Sequence, residues 1–340
     1  MSTTDQSHIE DLRVLKDLYD SVDLRGYWEM ERTTSGPAPI EPKIWHWSDI
    51  YPALQRAAEV VRMGEDTFRR ANGMKTGSRT LNAGFQYVLP GETAGAHRHT
   101  ACALRFVVQG RGGYTTSDGD RMVMEPGDLL TQPNWTWHDH GNFSNEPLIW
   151  LDGLDAGLIK FLDANFHENW AEGEVQPVTR SSGESQQRLS PIRAPSSTKA
   201  TRREPCHYKW TDALAALNAA TDSDANPYDG YILEYSDPLT GGHTFKTISC
   251  RVQMLLPGQK TQFHRHTSTT IYHAVEGEGM IRIDKDDPVE FSWAEKDTFI
   301  LPPWRWHQHL NTSSTQPAIL FSESDLPVLE ALDLYREEGD

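Results

Sequence analysis

The tetrapeptide His-Arg-His-Thr occurs twice in this chain, at His97–Thr100 and at His264–Thr267, and each copy is followed by a third histidine inside a tryptophan-rich turn. In the first copy that histidine is His138, within Trp135-Thr136-Trp137-His138-Asp139-His140. In the second it is His307, within Trp304-Arg305-Trp306-His307-Gln308-His309, at nearly the same distance along the chain from its own tetrapeptide. The same chemistry returning in the same order and at nearly the same spacing means a duplicated domain. The fold must therefore be one that builds a three-histidine site once and then builds it again.

Strand geometry explains the spacing. Residues two apart on a strand share a face, so His97 and His99 can offer two imidazoles to one ion while Arg98 turns away, and a third ligand from a distant strand closes the set. His264, His266 and His307 form the candidate second set. Three neutral nitrogens suit Zn, Cu, Fe or Ni, and three protein ligands leave positions open for water, oxygen or substrate. A lone histidine is more often an ordinary polar side chain, but that reading does not account for two matching triplets.

The surroundings of both triplets resemble the two motifs of the cupin barrel. The first motif runs through Gly91, His97, His99, Ala103 and Gly110, and the second through Gly127, Pro133, Trp135, His138 and Asn142. The frame recurs at Gly258, His264, His266, Thr270 and Gly277, then Pro302, His307 and Asn311. Cupins usually carry a glutamate ligand where this chain has Ala103 and a glycine where it has Trp135, and both barrels lack the glutamate. Ala-His-Arg-His-Thr, Ala-Leu-Arg-Phe and the stretch Pro133–Asn142 resemble the family of gentisate, salicylate and 1-hydroxy-2-naphthoate dioxygenases over roughly residues 45 to 330. The resemblance implies an all-β fold with accessory helices, two tandem cupin barrels of the double-stranded β-helix or jelly-roll type. It also implies Fe(II), O2, a small aromatic acid opened between its carboxyl-bearing and neighbouring hydroxyl-bearing carbons, and a homotetramer or dimer. Another metal-cupin enzyme, or a non-catalytic bicupin that binds a small acid, are the alternatives.

Composition agrees with this. At 340 residues, 37% hydrophobic and without an apolar run long enough to span a bilayer, the expectation is about two domains and no membrane. The polar, acid-containing start Met1–Glu10 does not read as a signal peptide. Cys102, Cys206 and Cys250 show no metal spacing, so reduced thiols and a cytoplasmic location are expected. A formal charge of -17 argues against nucleic acid as a partner, because that needs a basic face. An anionic substrate must then be caught by local positive charge.

The expected organisation is an N-terminal helical segment at 1–44, an N-terminal cupin domain with the catalytic metal site at 45–169, a linker and wrap at 170–227, and a C-terminal cupin domain at 228–340. Helices are expected over His8–Tyr19, Tyr51–Arg62, Gly157–Asn169 and Trp210–Ala219. The segment 171–205, rich in Ser, Gln, Arg and Pro, reads as a linker or surface wrap.

Parity then separates the barrels. His97, His99, Ala101, Ala103 and Arg105 share a face, so beside the metal stand two small alanines and one guanidinium whose planar fork fits a carboxylate. A structural salt bridge inside the barrel is the other explanation for Arg105. In the second barrel the same face reads His264, His266, Ser268, Thr270 and Tyr272, with no cation at the matching position. Three neutral imidazoles leave a ferrous ion its full charge, matched by an ortho-hydroxy acid chelating through two oxygens. His140, two beyond His138, can face the pocket as a proton relay, while Asp139 points outward or orients a neighbour. Asn82, Gly84 and Gln86 share one parity, and the resemblance implies that Gln86 and Gly84 contact substrate, with Asn82 replacing the usual aromatic residue. Arg69-Arg70 resembles the family's upstream arginine pair, with Arg70 taken as a substrate residue, and Trp137 is a candidate pocket wall.

Overall fold

The computed structural model describes residues 40–170, 175–188, 204–220 and 224–340, with residues 13, 14, 17 and 21. The unit described below is the one running from Pro39 to Asp340. The helix expected over His8–Tyr19 lies outside the described residues, apart from those isolated positions.

After β1 (Lys43–Trp45) and helix α1 (Trp47–Val60), the N-terminal barrel is built from β2 (Ala71–Gly73), β3 (Asn82–Val88), β4 (Thr93–His99), β5 (Ala103–Gln109), β6 (Gly113–Ser117), β7 (Asp120–Met124), β8 (Leu129–Gln132), β9 (His138–Asn142) and β10 (Leu148–Leu154). Helix α2 (Ala156–Phe161), β11 (His167–Asn169), helix α3 (Glu184–Arg188), β12 (His207–Tyr208) and helix α4 (Trp210–Ala219) follow. The C-terminal barrel comprises β13 (Ala225–Asn226), β14 (Gly230–Glu234), β15 (Ser249–Leu255), β16 (His264–His266), β17 (Thr270–Glu276), β18 (Glu278–Ile283), β19 (Val289–Ala294), β20 (Thr298–Leu301), β21 (His307–Asn311) and β22 (Ala318–Ser324), closed by helix α5 (Leu326–Ala331) and β23 (Glu337–Gly339).

Each barrel is two facing antiparallel sheets. In the first, β12-β8-β5-β10-β3-β2 faces β11-β4-β9-β6-β7; in the second, β1-β20-β17-β22-β15-β14-β13 faces β19-β18-β21-β16-β23. The core of the first barrel holds Val88, Val107, Met124, Leu130, Leu148 and Trp150. That of the second holds Tyr272, Ile281, Trp293, Phe299 and Leu320. Strands β10 and β22 are buried almost throughout, because one face looks into its own barrel and the other meets the neighbouring barrel, where Phe106 and Phe321 stack with centroids 4.3 Å apart.

The chain order crosses the expected boundaries. β1 pairs with β20 of the C-terminal barrel, and β12, from the stretch expected as a linker, pairs with β8 of the N-terminal barrel. The stretch 175–188 is a wrap: Gln176 is buried and accepts from the Gly119 amide at 2.8 Å. The expected helix at Gly157–Asn169 is a helix only to Phe161; Asp163 then turns with φ 53° and the chain returns as β11. Asp333, in the equivalent turn before β23, has φ 57°.

Two reciprocal clasps join the barrels. Asp155, at the start of α2, accepts from the Cys102 amide at 2.9 Å and from Thr247 Oγ1 of the second barrel at 2.6 Å. Asp325, at the start of α5, accepts from the Thr269 amide at 2.8 Å and from Thr80 Oγ1 of the first barrel at 2.6 Å. The duplication thus extends beyond the histidines to the interface.

Candidate active site

β4 and β9 pair with His97 opposite His138, which places the third histidine beside the first two. One ring nitrogen from each of His97, His99 and His138 lies within 4.8 Å of the others. The Nδ1 atoms are spoken for: His97 on Gly95 O at 2.9 Å, His99 on Ala101 O at 2.7 Å and His138 on Thr136 O at 2.9 Å. With Nδ1–H donated to a carbonyl, each ring is held in the tautomer that offers its Nε2 lone pair. His138 Nε2 is buried without a hydrogen-bond partner among the described residues. Burial first, then the charge of Arg69, lowers His97 to about 2, and burial lowers His99 to about 4. Neutral imidazoles with converging Nε2 atoms fit a metal ion, which needs that form.

The arginines between the ligands have a structural task. Arg98 turns away from the imidazoles, packs 4.5 Å from the ring centroids of both Trp135 and Trp137, and donates from Nε to Glu168 at 2.8 Å. Arg265 does the same with Trp304 at 4.4 Å, Trp306 at 4.7 Å and Glu338. Trp135 and Trp304 have φ of 59° and 61°, the left-handed region where a side chain costs roughly 1–2 kcal/mol. That conformation is why related barrels favour glycine there. Here the cation–π stack and a hydrogen bond of 2.7 Å donated by the tryptophan backbone N–H to His99 O or His266 O hold a tryptophan in the turn that delivers the third histidine.

Above the triad lies a cavity of about 550 Å³ whose lining includes Arg69, Gln86, Ala103, Arg105, Asp152 and His167. Arg105 is 3% exposed, with Nε 3.7 Å from Asp152 Oδ1. Burial lowers Arg105 to about 10, against the pull of Asp152, and burial raises Asp152 against the pull of Arg105. Both shifts run toward neutrality because desolvation outweighs their attraction, yet at about 10 Arg105 stays charged at neutral pH. Asp152 also accepts from Gln86 Nε2 at 2.5 Å and Trp150 Nε1 at 2.8 Å, so the carboxylate anchors Gln86 and balances the charge of Arg105 without a hydrogen bond to it.

Several candidate residues sit elsewhere. Arg70 does not line the cavity: its buried guanidinium donates to Glu92 Oε1 at 3.0 Å and Tyr87 O at 3.0 Å. Its neighbour Arg69 enters instead, with Nη1 2.6 Å from His97 Nε2, because adjacent residues on an extended chain point opposite ways. Trp137 stands outside under Arg98, edge-on to Trp170. Asn82 is exposed and is not part of the lining. Gly84 lies under β2, where a Cβ would come 2.7 Å from Asn72 O. Asp139 is buried on the outer face and accepts from the Gln176 amide at 2.9 Å. His140 lies deeper in the barrel than the triad: Nδ1 bonds Thr115 Oγ1, the ring meets Trp150 edge-on at 5.4 Å, and Nε2 has no partner among the described residues.

Sequence reasoning missed Asp152 and His167. His167 stacks on His97 with centroids 5.5 Å apart, because β11 pairs with β4. A faint signal was present: the run Leu162–Asn169 aligns without a gap on Leu332–Gly339 and shares Leu162/Leu332, Asp163/Asp333 and Glu168/Glu338.

The second site copies the frame with other walls. The centroids of His264, His266 and His307 stand 4.1, 5.6 and 5.1 Å apart, against 4.1, 5.5 and 4.9 Å for the corresponding pairs of the first. The cavity there, about 420 Å³, carries Arg251 but also Asp229, Glu234, Glu330 and Glu337. Arg251 is a cation that strand parity from His266 had not revealed, since it comes from β15.

The cupin domain family matches residues 84–153 and 251–322. The chain is 37% identical to a 5-aminosalicylate 1,2-dioxygenase from Comamonas sp., over 88% of this chain and 82% of that one. It is 38% identical to a 1-hydroxy-2-naphthoate 1,2-dioxygenase from Nocardioides sp., over 93% and 84%. A solved salicylate 1,2-dioxygenase from Pseudoaminobacter salicylatoxidans, described with adducts of gentisate, superposes with a TM-score of 0.84 at 28% identity, covering 97% of this chain and 94% of that one. No helix among the described residues is long and apolar enough to cross a membrane.

Proposed function

This chain belongs to the bicupin family of ring-cleaving dioxygenases that act on gentisate, salicylates and 1-hydroxy-2-naphthoate, and on that premise we propose that its N-terminal barrel carries one Fe(II) on His97, His99 and His138 and opens a hydroxylated aromatic carboxylate, gentisate first. Cleavage falls between the carboxyl-bearing carbon and the neighbouring hydroxyl-bearing carbon, and both atoms of O2 enter the product. The observation that carries this reading is a buried guanidinium, Arg105, beside three converging imidazoles, at a position where Ala103 leaves room for substrate. Ferrous iron held by His97, His99 and His138 would supply a redox-active Lewis acid suited to an ortho-hydroxy acid.

The protein's own residues bind and orient the substrate. Arg105 offers two parallel donors to the substrate carboxylate, and Asp152 counters its charge at 3.7 Å while accepting from the Gln86 amide. Arg69, at the mouth side of His97, is a second cation that neutralises the entering acid. His140 does not line the cavity; its buried ring, bonded to Thr115 through Nδ1, backs the triad from inside the barrel. Phe68 and Trp170 supply apolar wall. A cavity of about 550 Å³ has room for a second fused ring, so 1-hydroxy-2-naphthoate is the alternative substrate. Family membership also supports a homo-oligomer of two or four chains in the cytoplasm, where Cys102, Cys206 and Cys250, all free and buried, stay reduced.

The test is O2 uptake by Fe(II)-reconstituted enzyme with gentisate, 5-aminosalicylate, salicylate and 1-hydroxy-2-naphthoate, with the product identified by mass. One O2 consumed per ring opened is expected. Uptake with none of these acids, or activity equal after replacing iron by zinc, would remove the proposal.

A further inference from the structure

The C-terminal cavity is wrong for an aromatic acid and right for a cation. It is lined by four carboxylates, Asp229, Glu234, Glu330 and Glu337; Glu234 meets Arg251 at 3.8 Å, and Glu234 and Glu330 also bond the two ring nitrogens of His243, which leaves Asp229 and Glu337 facing the imidazole of His264. His264 and His307 are 2% and 0% exposed, and the Nε2 of each has no hydrogen-bond partner among the described residues. His266 donates from Nδ1 to Ser268 O at 3.1 Å, and His307 donates from Nδ1 to Arg305 O at 3.3 Å. As in the first barrel, the Nδ1 sides are engaged.

One spacing carries the argument. Asp229 Oδ1 lies 3.7 Å from His264 Nε2, too long for a hydrogen bond. Two donor atoms on one tetrahedral ion, each at about 2.0–2.2 Å, are roughly 3.3–3.6 Å apart. At 3.7 Å the pair stands just beyond that spacing, so a small approach would let both share an ion, and Asp229, on the Tyr228–Gly230 approach to β14, offers a carboxylate that both barrels lack at the usual position on β5 and β17. The nitrogens are looser than in the first site, where three lie within 4.8 Å of one another; His264 is drawn outward by Glu337 at Nδ1, 3.4 Å away. The ring centroids nevertheless match those of the first site pair by pair, so the second barrel keeps the same histidine frame.

We propose that the C-terminal barrel holds its own divalent transition-metal ion on His264, His266, His307 and Asp229, and that this ion braces the barrel instead of performing the reaction. The carboxylate fills a coordination position and lowers the charge of the site, and the surrounding glutamates repel an anionic substrate. β23 contributes Glu337 beside β16, so the ion also ties down the end of the chain.

Co2+ titration of the metal-stripped protein, followed by visible absorption and by thermal melting, tests this independently of turnover. The intact protein should bind two ions per chain, and the His97→Ala/His99→Ala variant one, with a melting temperature that climbs as Co2+ rises. The His264→Ala/His266→Ala variant should bind one ion and keep O2 uptake when its first site holds iron. Asp229→Asn should weaken the second equivalent at least about tenfold and leave the first unchanged. One ion in the intact protein, none in the His97→Ala/His99→Ala variant, or an unchanged second affinity in Asp229→Asn would each overturn the assignment. If a double variant fails to fold, the stoichiometry of the intact protein and the Asp229→Asn affinity decide the matter.

Discussion

The two barrels share a frame and differ in their walls. Both set three imidazoles at nearly equal spacings, hold the third-histidine turn with an arginine between two tryptophans, and end in a helix that clasps the other barrel. Around the first triad stand Arg69 and Arg105 with one counter-charge, Asp152; around the second stand Arg251 and four carboxylates. A scaffold therefore sets where a metal can sit, while the residues facing it from other strands decide whether an anion can follow. By its lining charges alone, the first cavity suits an acid and the second a cation.

The sharpest way to break this comparison is to remove one histidine from each side. His99→Ala should abolish metal retention at the first site and lower ring opening by more than about 1,000-fold, since two imidazoles cannot hold a labile ferrous ion. His266→Ala should leave most of the turnover. Iron content and O2 uptake on the same samples check both, and equal losses with folding intact would make the second barrel catalytic.

Arg105→Lys comes next. Lysine keeps the charge but loses the fork that meets Asp152 and the substrate, so kcat/KM should drop by roughly 2–3 kcal/mol of transition-state binding while iron stays bound. Near-normal kinetics would transfer the carboxylate anchor to Arg69.

The third prediction addresses the seam. Gly153 and Glu323 occupy equivalent positions on β10 and β22, and a Cβ at Gly153 would meet the Glu323 carboxyl at 1.6 Å. Glu323 is fully buried, and burial raises its carboxyl well above the ordinary range. Gly153→Ala should lower stability by about 1–3 kcal/mol in urea unfolding, and Glu323→Ala in the same chain should recover part of it. An unaltered unfolding midpoint for Gly153→Ala would show that the seam has slack.

The smallest effect concerns pH. Burial opposes a charge on His243, but hydrogen bonds with Glu330 on α5 and Glu234 on β14 outweigh it and raise the imidazole above its ordinary value. A raised folded pKa means stability fully present below about 6.5 that is lost as pH rises through the folded value. With the ring partly exposed, the contribution is about a few tenths of a kcal/mol after solvent screening. Melting between pH 6 and 8.5 should show this slope in the intact protein and not in His243→Gln; an identical slope in both would exclude the pair.

How far the sequence could be read follows from what each feature depends on. The shared face of His97, His99, Ala103 and Arg105 was legible because strand parity is local: two residues of separation decide a face. Gln86 was reached through the family resemblance, and His140, expected on the pocket face, does not line the cavity. Asp152 was not legible, because its role arises from the pairing of β10 with β3 and β5, and no spacing within one strand reveals a neighbour on another. Arg69 and Arg70 were legible as a pair but not as individuals, since the direction of an isolated segment has no internal reference. β11 was hidden because His167-Glu168-Asn169 is short, polar and exposed, with no alternation to mark it as a strand after α2.

The sequence by itself determined that this chain is a duplication of one barrel carrying a three-histidine frame, because ligand chemistry needs fixed residue types at fixed periods and those periods are written in the chain. Only the tertiary structure decided which walls face each triad. Those walls come from strands far apart in sequence, brought together by barrel closure. Burial then sets whether their charges remain paired, free to bind a substrate, or arranged to receive an ion.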